Sequence, residues 1–264
     1  MKGILMMSWE RVQTEIRDKI GVLAINYPPV NALGFQTIKE LGEATDFFLK
    51  SKEVKVCIIT GVGKHFVVGA DIKELQNFTP ETAGAFATLT TQVFSSIAYS
   101  KKPIICAING MALGGGLELA LACDIRMATE EAKLGFPEIN LGLMPGAGGT
   151  QRLPRIVGIG RAKELIFTGR TLTAVEAFNL GIVEHVVHPT ILMKEALKLA
   201  GTLANKSAVA IRVSKRAIME GVEMPLERAL ELEEKLFIHL IGTEDKAEGV
   251  SAFLEKRSPK FKDR

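Results

Sequence analysis

At 264 residues the chain is long enough for one large domain, or for one domain with a smaller appendage. Hydrophobic residues make up 47% and charged residues 24%, which excludes a disordered chain and suits a soluble globular one. The 33 basic and 30 acidic residues leave a net charge of +3, too little to call for a polyanionic partner, though it suits a small anionic ligand.

The start Met1-Lys2-Gly3-Ile4-Leu5-Met6-Met7 has an apolar run too short for a secretion signal, and Glu10, Glu15 and Asp18 follow too closely for a transit peptide. Met6 or Met7 is an alternative start. No stretch reaches the roughly 18–20 apolar residues of a membrane span. Cys57, Cys106 and Cys123 sit in apolar runs without CxxC or Cys/His ligand spacing. They are expected to be buried thiols in a reducing compartment, and the expected location is the cytoplasm.

In chain order, Val12 to Ile16 and Ile20 to Ile25 flank Arg17-Asp18-Lys19 as a hairpin. Gly34 to Lys50 has apolar residues at helical spacing, and Val54 to Ile59 reads as a buried strand. A helix over Pro80 to Tyr99, a strand over Pro103 to Ile108, a helix over Leu117 to Cys123 and a strand over Ile125 to Ala128 come next. Thr173-Ala174-Val175-Glu176 fits a capping box, and one more strand runs from Ile182 to Val187. Thereafter only helical patterns remain, at 191–204, 208–220, 226–241 and 245–256. Residues 1–204 are thus expected to form an α/β core and residues 205–264 a helical C-terminal part.

Four segments set glycine beside a polar residue in apolar surroundings. They are Gly61 to Lys73, Asn109 to Leu119, Gly135-Phe136-Pro137-Glu138, and Gly142 to Arg152. Glycine lets the backbone approach a ligand and aim its amides at it. Gly114-Gly115-Gly116 leads straight into a helix, whose free N–H groups and positive dipole end suit a developing anion. Glu118, in the first turn of that helix, either points into a pocket or caps the helix. Gly146 to Gly149 reads as a tight turn before a helix or as part of a site. Neither loop has the spacing of a dinucleotide or P-loop fingerprint.

Together with Pro29-Val30-Asn31-Ala32-Leu33, Thr168-Gly169 to Gly181-Ile182-Val183, and Ala252 to Arg257, these segments resemble the crotonase superfamily, specifically its enoyl-CoA hydratase branch. The resemblance covers most of the chain in order and spacing. It implies an α/β crotonase-like (ClpP/crotonase) spiral of ββα units, followed by C-terminal helices that build homotrimers, often paired into hexamers. The spiral itself does not follow from periodicity.

Position by position, the resemblance places oxyanion-hole amides at Ala70 and Gly115 and catalytic carboxyl groups at Glu118 and Glu138. Gly146 falls where the backbone helps hold a catalytic water. Ala70, Asp71, Ile72 and Lys73 fall on the stretch that runs along coenzyme A, with Lys73 and Lys256 placed to meet its phosphates. A lysine that some members carry before Asn-Ala-Leu is replaced here by Pro29-Val30. Asp71 reads better as a helix cap than as a catalyst. Asp124 reads as a paired buried carboxyl group. His65, His185, His188 and His239 receive no chemistry.

The implied reaction is hydration of a 2-enoyl-CoA in fatty-acid or related acyl-CoA metabolism, a hydro-lyase activity. Glu118 activates water and Glu138 exchanges the α-proton. No metal or cofactor is implied, coenzyme A being part of the substrate, and neither a membrane nor a nucleic acid is an expected partner. The alternatives are a double-bond isomerase, which usually lacks one of the two glutamates, an RNA-binding relative, and a silent assembly subunit. Acyl length depends on Phe86, Leu89 and Phe94, which the sequence alone does not place.

Overall fold

The computed structural model of the chain describes residues 9–264, so the apolar start lies outside the described residues. The strands β1 (Val12–Arg17) and β2 (Ile20–Ile25) form an antiparallel hairpin around Asp18 and Lys19, both in the left-handed region. Helix α1 (Phe35–Lys50) leads to β3 (Val56–Gly61), β4 (Val67–Val68), α2 (Ile72–Leu75) and α3 (Pro80–Ala98). A second turn comprises β5 (Ile104–Ile108), β6 (Ala112–Leu113) and α4 (Gly115–Ala122). A third contains β7 (Ile125–Thr129), β8 (Lys133–Gly135) and a short 3-10 turn, Pro137–Leu141.

These successive turns alternate between two sheets. The first strand of each enters a six-stranded sheet of order β1-β2-β3-β5-β7-β10, with β10 at His185–Val187, and all of its pairs beyond the hairpin are parallel. The second enters a four-stranded sheet, β4-β6-β8-β9, with β9 at Thr171–Thr173. The coil expected from the resemblance is therefore present as geometry.

The large sheet is covered on both sides, which is why its strands read as continuous apolar runs. One side carries Leu23, Cys57, Ile59, Ile104, Cys106 and Ile108 into the main core with α1 and α3. The other carries Ile20, Val56, Ile58, Ile105 and Met127 onto helix α8 (Leu192–Ala204). On α8, Ala196, Ala200 and Ala204 repeat every fourth residue and present small side chains to the sheet.

Before α8 the chain runs through α5 (Gly149–Val157), α6 (Ile159–Thr168) and α7 (Ala174–Asn179), the last with its capping box formed by Thr173 and Glu176. Helices α9 (Ala208–Gly221), α10 (Leu226–Ile241) and α11 (Glu244–Leu254) complete the chain. Val209, Val213 and Leu236 form a small separate cluster there. Lys215 ties α9 to the core: its Nζ lies 2.8 Å from Asp124, which also accepts the Ile104 amide at 2.7 Å.

Two expectations are corrected. The strand read from Ile182 shrinks to His185–Val187, because the Ile182 amide donates to the Ala177 carbonyl at 2.8 Å, through a turn that places Gly181 at φ +74°. The strand read from Val54 begins at Val56 and runs on to Gly61.

Candidate active site

A cavity of about 380 Å³ opens where the small sheet meets α2, α3 and α4. Ala70, Gly114, Gly115, Glu118, Glu138 and Gly146 all line it, beside an apolar wall that includes Leu33, Ile72, Leu75, Phe78, Phe86 and Leu143. Successive turns of the spiral each deliver one part: Ala70 comes after β4, Gly115 and Glu118 after β6, and Glu138 after β8.

The Ala70 amide is left free by its surroundings. Gly69 donates to the Leu113 carbonyl and Asp71 to the Leu33 carbonyl, at 2.9 and 3.0 Å. Leu33 also donates to the Gly69 carbonyl at 2.9 Å, and this parallel bridge, which bonds the residues on either side of Ala70, turns the Ala70 amide away from Leu33. Gly115 is the first residue of α4, and an amide there has no carbonyl behind it to meet. Among the described residues neither amide has a partner.

Two glycines of the triple run are required by space. Gly114 holds φ +53° and ψ −124°, and a β-carbon on it would lie 2.8 Å from Oε1 of Glu138. A β-carbon on Gly116 would lie 2.2 Å from the Val67 carbonyl oxygen, so its absence lets α4 start hard against β4.

Glu118 is 3% exposed, and it does not cap its own helix. Its Oε1 accepts the amides of Ala147 and Gly149 at 2.7 and 2.8 Å, from the turn that opens α5. Gly146 to Gly149 is thus both a tight turn and part of the site, with Gly148 at φ +109°. Burial pushes the Glu118 carboxyl group above its usual range, while the two amides and the Arg152 charge oppose that shift. Arg152 is fixed by donating to the Ala147 carbonyl at 3.0 Å.

Glu138 is held differently. It stands in the first turn of the short 3-10 helix, and its Oε2 is buried without a hydrogen-bond partner among the described residues. Burial raises its pKa to about 7, its own backbone amide opposes this, and the Glu118 charge adds to it. A buried unpaired oxygen aimed at a cavity is costly unless a ligand uses it.

Other expected site residues lie off the cavity wall. Asp71 caps α2, accepting the Lys73 amide at 3.0 Å, and its other oxygen accepts the Tyr27 hydroxyl at 3.3 Å. Lys73 is exposed on α2, and Lys256 is exposed just past α11, and neither lines the cavity. Of the three candidates for the acyl wall, Phe86 lines the cavity, Phe94 is a fully buried core residue and Leu89 packs on the core.

Three contributors escaped the sequence reading. Arg152 sits under the loop that grips Glu118. Asn31, at φ +56°, donates to the carbonyls of Val62, His65 and Phe66 and holds the β3–β4 turn closed. Glu74 accepts the Phe35 amide at 2.9 Å. A polar residue inside an apolar run is the one signal that points to Asn31; the other two depend on contacts distant in sequence.

Fold and cavity together define a crotonase-type fold with two carboxyl groups and two free amides on the wall of one cavity. Comparison with known proteins agrees with the fold. The enoyl-CoA hydratase/isomerase family profile matches residues 15–264. The chain is 45% identical to a crotonyl-CoA hydratase of Syntrophomonas wolfei over 97% of its own length and 99% of that protein's. It is 42% identical to a short-chain-enoyl-CoA hydratase of Clostridium acetobutylicum, covering 95% and 97%. The crystal structure of an enoyl-CoA hydratase from Bacillus anthracis superposes with a TM-score of 0.94 at 38% identity, covering 97% of this chain and all of that one. The chain belongs to the enoyl-CoA hydratase/isomerase family.

Proposed function

We propose that the chain reversibly adds water across the double bond of a 2-enoyl-CoA thioester, giving the 3-hydroxyacyl-CoA. This reading is carried by the opposite anchoring of two carboxyl groups on one cavity: Glu118 gripped by two amides, Glu138 with an unpaired oxygen and a pKa raised to about 7.

The β-carbon accepts water only if negative charge can collect on the thioester oxygen. The free amides of Ala70 and Gly115 supply donors for that oxygen without reorganising, and donors of this kind contribute about 3–4 kcal/mol each. The Glu118 oxygen not engaged by Ala147 and Gly149 orients the water and takes its proton, with the Gly146 backbone beside it. Glu138, protonated near neutral pH, delivers a proton to the α-carbon. Atoms balance with water and the thioester alone once the proton gained by Glu118 passes through solvent to Glu138, so the reading needs no cofactor, and coenzyme A arrives as part of the substrate.

Under the same reading Asp71, Ile72 and Lys73 run along the coenzyme A moiety where it leaves the cavity, and Lys256 meets its phosphates. Lys256→Ala then raises KM for the CoA ester; an unchanged KM removes that role. We divide the chain at Asn205 into a catalytic core and an assembly region. Leu226, Leu230, Phe237 and Phe253 stand exposed there, Phe253 at 83%, and we assign them to a trimer or hexamer interface, to be read by light scattering. Three free buried thiols fit the cytoplasm. Among the described residues no helix is long and apolar enough to cross a membrane.

The deciding experiment tracks the loss of conjugated enoyl absorbance when crotonyl-CoA is added. Folded protein that leaves the absorbance unchanged overturns the reading. Movement of the double bond without hydration replaces it with isomerisation, for which one proton shuttle suffices.

A further inference from the structure

Helix α1 has no cap of its own. Its N-cap residue is Gly34, which has no side chain to accept the free amides, and its first turn carries no acidic residue. The missing acceptor comes from another part of the chain. Oε2 of Glu74, in α2, accepts the Phe35 amide at 2.9 Å, and a β-carbon on Gly34 would lie only 2.2 Å from Oε1 of the same carboxyl group. Glycine at position 34 thus makes room for the carboxyl group that caps the helix.

The segment that carries Ala70 is stitched to the chain before α1 along its whole length. Val68 donates to Val30 at 3.0 Å, Leu33 to Gly69 at 2.9 Å, and Asp71 to Leu33 at 3.0 Å. The Glu74–Phe35 contact is the last stitch, and Ala70 lies between it and the first. Beyond Asp71 the segment has little other support, since α2 is four residues long and none of its residues is buried. Phe35 also anchors the chain beyond α2: its ring lies 5.9 Å from that of Phe78 and 5.2 Å from that of Phe86, both on the cavity wall.

We propose that Glu74 is a positioning residue for hydration, acting through the Phe35 amide to hold α2 and thereby aim the Ala70 amide at the thioester oxygen. This rests on the hydration reading above. An amide that grips the oxygen mainly in the transition state must be held to a fraction of an ångström, and slack there lowers turnover more than binding.

Three variants test it. Glu74→Ala removes the stitch and Glu74→Gln keeps an oxygen for the Phe35 amide. Gly34→Ala leaves Glu74 intact but pushes its carboxyl group away; φ at Gly34 is −103°, so alanine adds no backbone strain. Turnover per active site is measured with crotonyl-CoA, together with the absorption band of bound dimethylaminocinnamoyl-CoA, which moves to longer wavelength as its carbonyl is polarised. Glu74→Ala and Gly34→Ala are expected to lower kcat about tenfold with KM within about threefold, and to shrink the band shift. Glu74→Gln is expected to recover all but about threefold of kcat and most of the shift.

Full kcat and full band shift in the folded Glu74→Ala protein overturn the proposal, as does loss of thermal stability with both unchanged. If Glu74→Ala does not fold, Gly34→Ala decides by the same criteria. The band reports carbonyl polarisation without turnover, so a wild-type protein that shifts the band but hydrates nothing refutes the reaction while leaving the clamp to be judged on the band alone.

Discussion

The two walls that carry Glu118 and Glu138 present the same side chain in opposite circumstances. One is a full helix turn deep in the core, its carboxyl group tied to two amides of the next helix and neighboured by Arg152. The other is a five-residue turn whose carboxyl group has an unpaired buried oxygen and shares the cavity with a like charge. Burial pushes both carboxyl groups above their usual range, but a cation, Arg152, opposes the shift at Glu118 whereas a like charge adds to it at Glu138.

The largest effects come from erasing either member. Glu118→Gln is expected to lower hydration about 10³–10⁴-fold and Glu138→Gln about 10²–10³-fold, the range for a general acid or base. Deuterium exchange at the α-carbon of a bound acyl-CoA separates the roles: it is lost in Glu138→Gln and retained in Glu118→Gln. Equal loss in both removes the division of labour.

Gly114→Ala strikes the Glu138 carboxyl group from the N-cap of α4. It forces a side chain into a strained backbone conformation and against the Glu138 carboxyl group, so kcat should fall about 10–100-fold, with a stability loss of about 1–3 kcal/mol. Steady-state kinetics and a melting curve check both.

The pH profile sharpens the contrast further. If Glu138 must be protonated to hydrate, kcat/KM for hydration declines as pH rises through about 7, and that for dehydration declines as pH falls through about 7. A hydration rate still rising above that range assigns the acid elsewhere. The smallest effect is expected from Arg152→Met: removing a positive charge that favours the ionised form of Glu118 moves the acidic limb of the hydration profile upward, by less than burial has already moved it.

Contact range decides how much of the molecule was legible in the sequence. The long apolar strands and the helices after position 190 announced themselves, because burial on both faces or on one stripe leaves a periodic trace. The second sheet did not: β4 and β6 are two residues long, too short for any period, and they exist because their neighbours supply partners. Glu118 and Glu138 were reached through resemblance, since a glutamate in a first helical turn is ordinarily a cap. The partners of Glu118 at Ala147 and Gly149 lie about thirty positions away, and no local pattern announces them. The same holds for Glu74 and Phe35, which meet across 39 positions.

The coil of the chain has one more consequence. Its first two turns set the donors that would grip a carbonyl, and its third sets the carboxyl group that would manage a carbon-bound proton. The group for the α-proton is therefore laid after the carbonyl-gripping donors, while Glu118 shares its turn with Gly115. Exchanging residues within the last turn can redirect what becomes of the activated intermediate while the anion-stabilising half stays as it is, so one scaffold can be tuned to new outcomes by editing a single stretch.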